Sequence, residues 1–169
     1  EDIEELANKY NISKSFVKMK VREFAEKKQI FMKAINKFRE ECKKNKKTGV
    51  ASVIVAGFSY GQGSSREHAA LCPMFLGVKV LLAKSVERIH AANLINFGIL
   101  QLNFVEDSDY DRIQDGDELA IADVHQAVAT GTVMVRNATQ DYEFKTTCSY
   151  TPRQKDIVLC GGLLNYMVK

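Results

Sequence analysis

The sequence has few of the residues that hold metals or cross-links, with four cysteines and three histidines among 169 residues. No two cysteines form a Cys-x-x-Cys pair, so neither a zinc site nor an iron–sulfur cluster is indicated within this chain. Reduced thiols are the simpler interpretation and favour a cytoplasmic protein. We therefore expect no metal ligands here. The cysteines are Cys42, Cys72, Cys148 and Cys160.

Long hydrophobic runs are also missing. Charged residues interrupt each apolar stretch well before the roughly eighteen positions that a membrane helix needs. The first five residues are mostly acidic, whereas a signal peptide begins with basic and then apolar residues. Neither a membrane span nor a signal peptide is predicted. The hydrophobic content of 46% is sufficient for the core of one domain with an extension.

Proline and glycine are absent from residues 3–42, which predicts two or three helices, followed by a polar break at residues 43–49. Residues 1–49 carry 14 Lys and Arg against 8 Asp and Glu, whereas the remainder carries 10 against 13. We therefore expect two domains, a basic helical segment at 1–49 and a second domain at 50–169. Residues 3–21 have the spacing of a helix-turn-helix with Asn11 in the turn, so nucleic-acid binding is one interpretation. Two amphipathic helices that close a domain give a similar pattern.

A glycine-rich loop after residues 50–56, an apolar and β-branched run that predicts a buried strand, is the strongest functional feature. Gly61 and Gly63 allow a sharp turn, and Ser64-Ser65-Arg66 stands where a helix should begin. A helix start favours an anion, and the Arg66 guanidinium can bind a carboxylate at two points. A serine there could act as a base if its anionic form were stabilised.

Other interpretations of this loop exist. Ser64-x-x-Glu67 has the spacing of a capping box, which would give the serine a structural role. Arg66 occupies the third glycine position of a dinucleotide-binding loop, and the Gly-Lys-Ser/Thr of a nucleotide-hydrolase loop is absent. Gln62 and His68 are secondary candidates for polar contacts in the same pocket. His90 is expected to be structural.

The rest of the chain predicts an α/β fold with a mixed sheet. Strands are expected at residues 78–83 and 99–104, separated by a helix at 86–97 that Ser85 caps and Gly98 ends. A helix at 66–75 should bend or stop near Pro73. Three further strands, at residues 117–122, 131–136 and 142–148, precede a final helix that begins at Thr151-Pro152 and pauses at Gly161-Gly162.

Residues 60–71, Tyr-Gly-Gln-Gly-Ser-Ser-Arg-Glu-His-Ala-Ala-Leu, resemble the signature of the C-terminal swivel domain of the aconitase superfamily. Residues 77–100, 109–117 and 161–166 resemble successive later blocks of that domain, so the resemblance covers about residues 50–169. It implies a swivel-type β/β/α domain with a mixed sheet. Residues 1–49 contain neither the Asp-His-Ile block nor the substrate-binding arginine of aconitases.

The resemblance implies a hydro-lyase that interconverts citrate and isocitrate through cis-aconitate. Ser64 would be the catalytic base, and Ser65 and Arg66 would bind substrate. A [4Fe-4S] cluster would complete the enzyme, with its ligands on a large domain or subunit outside this chain. The small subunit of isopropylmalate isomerase is a close relative. A nucleic-acid-binding regulator or a sensor of small acids, built on the same domain, is the alternative.

Overall fold

The computed structural model describes residues 14–63 and 66–169, and for residues 14–25 and Phe31 it describes the backbone alone. The chain divides into two compact units, one ending at Glu41 and the other running from Cys42 to Lys169. The domain boundary predicted after Gly49 stays a prediction. Residues 3–13, which include the predicted turn of the helix-turn-helix, lie outside the described residues.

The first described element is one long helix, α1 (Lys14–Thr48). The polar break predicted at residues 43–49 was wrong, because the helix continues through the lysine-rich segment and ends only at Thr48. Lysine is a good helix former, and Gly49, with φ +77°, is the first residue after it that favours a left-handed conformation. The last turns of α1 are fixed by side chains: the Lys46 ammonium donates to the Phe75 carbonyl at 2.8 Å and lies 4.8 Å from the Phe75 ring centroid.

Six strands form one mixed sheet in the order β1-β2-β3-β6-β5-β4. The first three strands are parallel and the last three are antiparallel to their neighbours. This arrangement confirms the predicted α/β class with a mixed sheet. The strands are β1 (Ser52–Ala56), β2 (Val78–Ala83), β3 (Leu100–Phe104), β4 (Leu119–Ala120), β5 (Thr132–Asn137) and β6 (Tyr142–Thr147).

Six shorter helices connect and cover these strands, and none of the described helices has the length and apolar character needed to cross a bilayer. Two clusters of buried side chains form the core, one centred on Leu102 and Val135 and the other on Leu81 and Leu94. The helices are α2 (His68–Leu76), α3 (Arg88–Asn96), α4 (Asp107–Arg112), α5 (Val124–Thr130), α6 (Pro152–Leu159) and α7 (Leu163–Met167).

Local signals set most of these bounds. The predicted strand at residues 78–83 matches β2, and α6 begins with the expected cap, a capping box between Thr151 and Gln154. Pro73 lies inside α2 without ending it. The predicted cap at Ser85 was wrong, because α3 begins at Arg88 and the Ser85 hydroxyl instead accepts a hydrogen bond from the Ser59 N–H at 2.7 Å.

β6 pairs with β3 at Asn103 and Phe104, and the Tyr150 hydroxyl takes the place of a strand partner at Gln101. Its hydroxyl donates to the Gln101 carbonyl at 2.9 Å and accepts from the Gln101 N–H at 2.8 Å, and burial raises the pKa of Tyr150. Tyr150→Phe leaves both backbone groups without that partner, so we expect a loss of about 1–3 kcal/mol in the free energy of unfolding. Chemical unfolding monitored by circular dichroism measures this change.

Tyr142→Phe is the matched control. The Tyr142 hydroxyl is buried and has no hydrogen-bond partner in the described parts of the chain, so its removal is expected to leave stability unchanged or slightly raised. Equal losses in the free energy of unfolding of the two variants would show that the hydrogen bonds to Gln101 do not stabilise the fold.

Candidate active site

The glycine-rich loop leaves the carboxyl end of β1, and β2 and β3 end at the same edge of the sheet because the three strands are parallel. Ligands of open α/β sheets bind in the crevice outside these carboxyl ends. The loop therefore lies where the fold favours a binding site. It runs from Gly57 to Glu67 and leads into α2.

The first half of this loop is tied to the connection between β2 and α3. The Tyr60 N–H donates to the Ser85 carbonyl at 3.0 Å, and the Glu87 N–H donates to the Tyr60 carbonyl at 2.9 Å. The Ser59 N–H donates to the Ser85 hydroxyl, as described above. These bonds extend the β1–β2 pairing by a bridge between Tyr60 and Val86. The loop is thus rigidly placed up to Tyr60.

His90 lies directly beneath the next residue, Gly61. A Cβ added at Gly61 would overlap the Cβ and Cγ of His90 and would lie 2.7 Å from its Cδ2. The Tyr60 ring meets the imidazole edge to face, with ring centroids 5.3 Å apart. His90 is 5% exposed, and its Nε2 has no hydrogen-bond partner among the described residues. Burial lowers the pKa of His90, so its ring is neutral near pH 7.

A depression of about 360 Å³ lies between the loop and the start of α3. Gln62, a secondary candidate from the sequence, lines it together with Gly61 and Gly63. Three residues around the first turn of α3 form the opposite side: Glu87, Arg88 and Ile89. Arg88 brings a second guanidinium to this edge of the sheet. The sequence analysis missed Arg88, although its position just after a parallel strand was a usable signal.

The predicted catalytic and substrate-binding serines, Ser64 and Ser65, lie outside the described residues, so their roles stay predictions. Arg66 is exposed and lies two residues before α2 begins at His68. Its carbonyl accepts a hydrogen bond from the Ala69 N–H at 3.0 Å. His68 is the exposed first residue of α2. Neither Arg66 nor His68 lines the depression beside Gln62.

The described residues do not fit an iron–sulfur cluster. Within residues 14–63 and 66–169, no three His, Cys, Asp or Glu side chains are placed to hold a metal ion together. The four cysteines are free thiols, of which Cys42 and Cys148 are buried in separate parts of the fold and Cys72 is exposed on α2. We therefore derive no chemical step through a cluster from this chain.

Fold and loop together define an α/β domain with a glycine loop at the carboxyl edge of the parallel strands of a mixed sheet. The family model described as the aconitase C-terminal domain matches residues 2–107. The chain therefore belongs to the aconitase family. Because the match begins at residue 2, the limit that we placed on the resemblance at residue 50 was wrong.

Individual relatives agree with this assignment. A probable mitochondrial aconitate hydratase of Dictyostelium discoideum is 42% identical over 127 residues, which is 72% of this chain and 16% of the relative. The mitochondrial homocitrate dehydratase of Saccharomyces cerevisiae is 36% identical over 130 residues, again 72% of this chain and 16% of the relative. The chain thus spans about one sixth of these proteins, all of which carry hydratase or dehydratase names.

A solved structure has the same fold. The 3-isopropylmalate dehydratase (leuD) of Methanocaldococcus jannaschii superposes with a TM-score of 0.57 at 31% sequence identity. The superposition covers 69% of this chain and 62% of that protein. The predicted fold, an aconitase-type domain with a mixed sheet, is confirmed.

Proposed function

We propose that this chain is the substrate-binding and base-donating domain or small subunit of a hydro-lyase that isomerises citrate and isocitrate through cis-aconitate. The observation that carries the proposal is the placement of the aconitase-like motif. In a chain that belongs to the aconitase family, residues 60–63 of this motif lie in the loop at the carboxyl edge of the parallel strands, and residues 68–71 form the start of α2.

In the proposed reaction, the Ser64 oxygen takes a proton from the carbon beside a substrate carboxylate. The electron pair of that C–H bond becomes the double bond of the unsaturated acid as the neighbouring C–O bond breaks. The hydroxyl oxygen leaves as water, with a proton that an acid on the proposed partner would supply. A serine oxygen is a base only when its anion is stabilised, and two features of the motif support this. The positive end of α2 lies a few residues further along the chain, and Arg66 supplies a permanent cation.

Arg66 is proposed to bind a substrate carboxylate through two parallel hydrogen bonds, with Ser65 as a further donor. Arg66→Lys is then expected to raise the KM for citrate about 10- to 100-fold, because an ammonium cannot reproduce the two-point contact. The fall in kcat should be smaller. Steady-state kinetics of the complete enzyme measure both.

Arg153→Lys is the control, since Arg153 is exposed on α6. We expect it to leave KM and kcat unchanged. An unchanged KM in Arg66→Lys would remove Arg66 from carboxylate binding.

The substrate is proposed to be a di- or tricarboxylic hydroxy acid. Citrate and isocitrate come first because several relatives carry aconitate hydratase names. The small subunit of an isopropylmalate isomerase is the second candidate, and the leuD structure favours it. Turnover of citrate, homocitrate and 3-isopropylmalate by the same preparation distinguishes them.

The partner is proposed to be a large domain or subunit that carries a [4Fe-4S] cluster. The relatives are about six times as long as the region that they share with this chain. Two exposed apolar side chains, Phe58 in the loop at 68% exposure and Ile89 in α3 at 52% exposure, are proposed contacts for that partner.

The proposed cytoplasmic location comes from the sequence, whereas several relatives are named mitochondrial. Fractionation of cells that express the complete protein decides between the two locations.

Two regulatory alternatives stay predictions: nucleic-acid binding through residues 1–49, and sensing of small acids without turnover. Phosphate contacts weaken steeply as salt rises, so nucleic-acid binding that ignores salt would count against the first. Calorimetric titration of citrate alongside a product assay tests the second, since a sensor binds citrate and forms no product.

A further inference from the structure

The strongest unexplained feature of the site is the contact between Gly61 and His90. These residues are 29 positions apart in sequence, yet the Gly61 backbone rests on the imidazole with no room for a Cβ. Gly63, two residues later, has no described atom within 4 Å of an added Cβ. The chain therefore passes from a tightly packed position to an open one within three residues.

The imidazole is itself firmly placed. His90 is the third residue of α3, it is almost fully buried, and the Tyr60 ring packs against its edge. Because its Nε2 has no hydrogen-bond partner within the part of the chain that the structure describes, removing that nitrogen would cost no described hydrogen bond. The described contacts of the His90 ring, with Gly61 and with the Tyr60 ring, are therefore packing contacts.

Gly61 lies among the last described contacts that hold the loop before the predicted catalytic residues. Hydrogen bonds fix the backbone as far as Tyr60, and the Gln62 N–H closes a turn onto the Ser59 carbonyl at 3.1 Å. Ser64 and Arg66 follow Gly61 by three and five positions. The place where Gly61 sits therefore sets the direction in which the chain leaves toward both.

We infer that His90 is a positioning residue of the proposed hydro-lyase, whose imidazole ring holds Gly61 and thereby places Ser64 and Arg66 against the substrate. This inference rests on the proposed function. A displacement of about 1 Å in a reacting group can lower a rate by two orders of magnitude. His90 acts through the loop and touches no substrate.

Kinetics of His90→Ala in the complete protein test the inference. We expect kcat for citrate to fall about 10- to 100-fold, with a smaller rise in KM. Proton transfer requires a close and fixed approach, whereas the long Arg66 side chain can follow a displaced carboxylate. His90→Phe keeps a flat ring against Gly61 and is expected to restore most of the lost kcat.

Val128→Ala is the matched structural control, because Val128 is fully buried on α5 in the other core cluster. It should lower Tm and leave kcat unchanged at temperatures where the protein is folded. An unchanged kcat in His90→Ala, or an equal fall in Val128→Ala, would reduce His90 to an ordinary core residue. A His90→Phe variant that folds and is as inactive as His90→Ala would move the role from the ring to Nε2 and would overturn the inference.

Amide hydrogen exchange separates this inference from the proposed function. We expect faster exchange at residues 61–66 in His90→Ala, with no change there in Val128→Ala. If the unsubstituted protein does not turn over citrate, the proposed function fails, and the exchange rates still decide whether His90 holds the loop. Equal exchange in His90→Ala and the unsubstituted protein would overturn the inference.

Discussion

Ser64→Ala is expected to lower kcat of the complete enzyme about 100- to 10,000-fold, the range that a positioned general base contributes. The substitution removes the oxygen that accepts the proton and leaves the Arg66 guanidinium, so KM for citrate should change little. Folding should be preserved, because the strands that carry the loop are fixed by other contacts, such as the bonds between Tyr60 and the Ser85–Glu87 connection. Cis-aconitate formation measures the effect.

The capping box predicted from Ser64 and Glu67 was wrong, because α2 begins at His68 and Glu67 itself is in the N-cap position. A structural role of Ser64 at this helix start would still give a different result. Loss of a cap costs about 0.5–2 kcal/mol of stability and does not by itself abolish proton transfer. A lowered Tm with retained turnover would therefore assign Ser64 to a structural role. Ser149→Ala, at an exposed position after β6, is the matched control and should alter neither quantity.

Gly98→Ala is expected to be the most damaging small substitution for stability. Gly98 follows α3 with φ +67°, and an added Cβ would overlap the carbonyl carbon of Gly161 and lie 2.5 Å from its oxygen. Because the obstacle is backbone, the turn between α6 and α7 must move. Left-handed strain and overpacking together should reduce the free energy of unfolding by about 2–5 kcal/mol.

Gly116→Ala separates strain from overlap. Gly116 has φ +93°, and no atom of the described residues lies within 4 Å of an added Cβ, so only the strain of about 1–2 kcal/mol applies. Chemical unfolding of both variants compares them directly. Equal losses would mean that the approach of Gly98 to Gly161 has no energetic consequence.

Local chemistry made the sheet and the last helices predictable. The apolar run of β2 lies between Gly77 and the polar Lys84-Ser85 pair, so both of its ends are marked in the sequence. The Thr151-Pro152 start of α6 carries its own cap. In each case, the residues that decide the structure are neighbours along the chain.

The errors came from competition between local and distant contacts. Ser85 has the right chemistry for a cap, but its hydroxyl binds the backbone of Ser59, 26 positions away. The lysine-rich end of α1 looked like a linker, yet Lys46 packs on Phe75 from α2. Such contacts exist only after the strands have brought distant segments together.

The same reasoning applies to the site. The motif around Ser64 could be recognised from consecutive residues. His90 could not be assigned to it, because α3 meets the loop only through the parallel pairing of β1 with β2, whereas Arg88 was overlooked despite its position after a parallel strand. The roles of Ser64, Ser65 and Arg66 rest on the resemblance and on the position of the loop.

The most direct test is cis-aconitate formation from citrate under anaerobic conditions, with this chain alone, with a cluster-loaded large domain of an aconitate hydratase alone, and with the two combined. We predict turnover only in the combination, and its loss when the chain carries Ser64→Ala. Turnover by the large domain alone at the same rate, or turnover in the combination that survives Ser64→Ala, would contradict the proposal that this chain supplies the catalytic base.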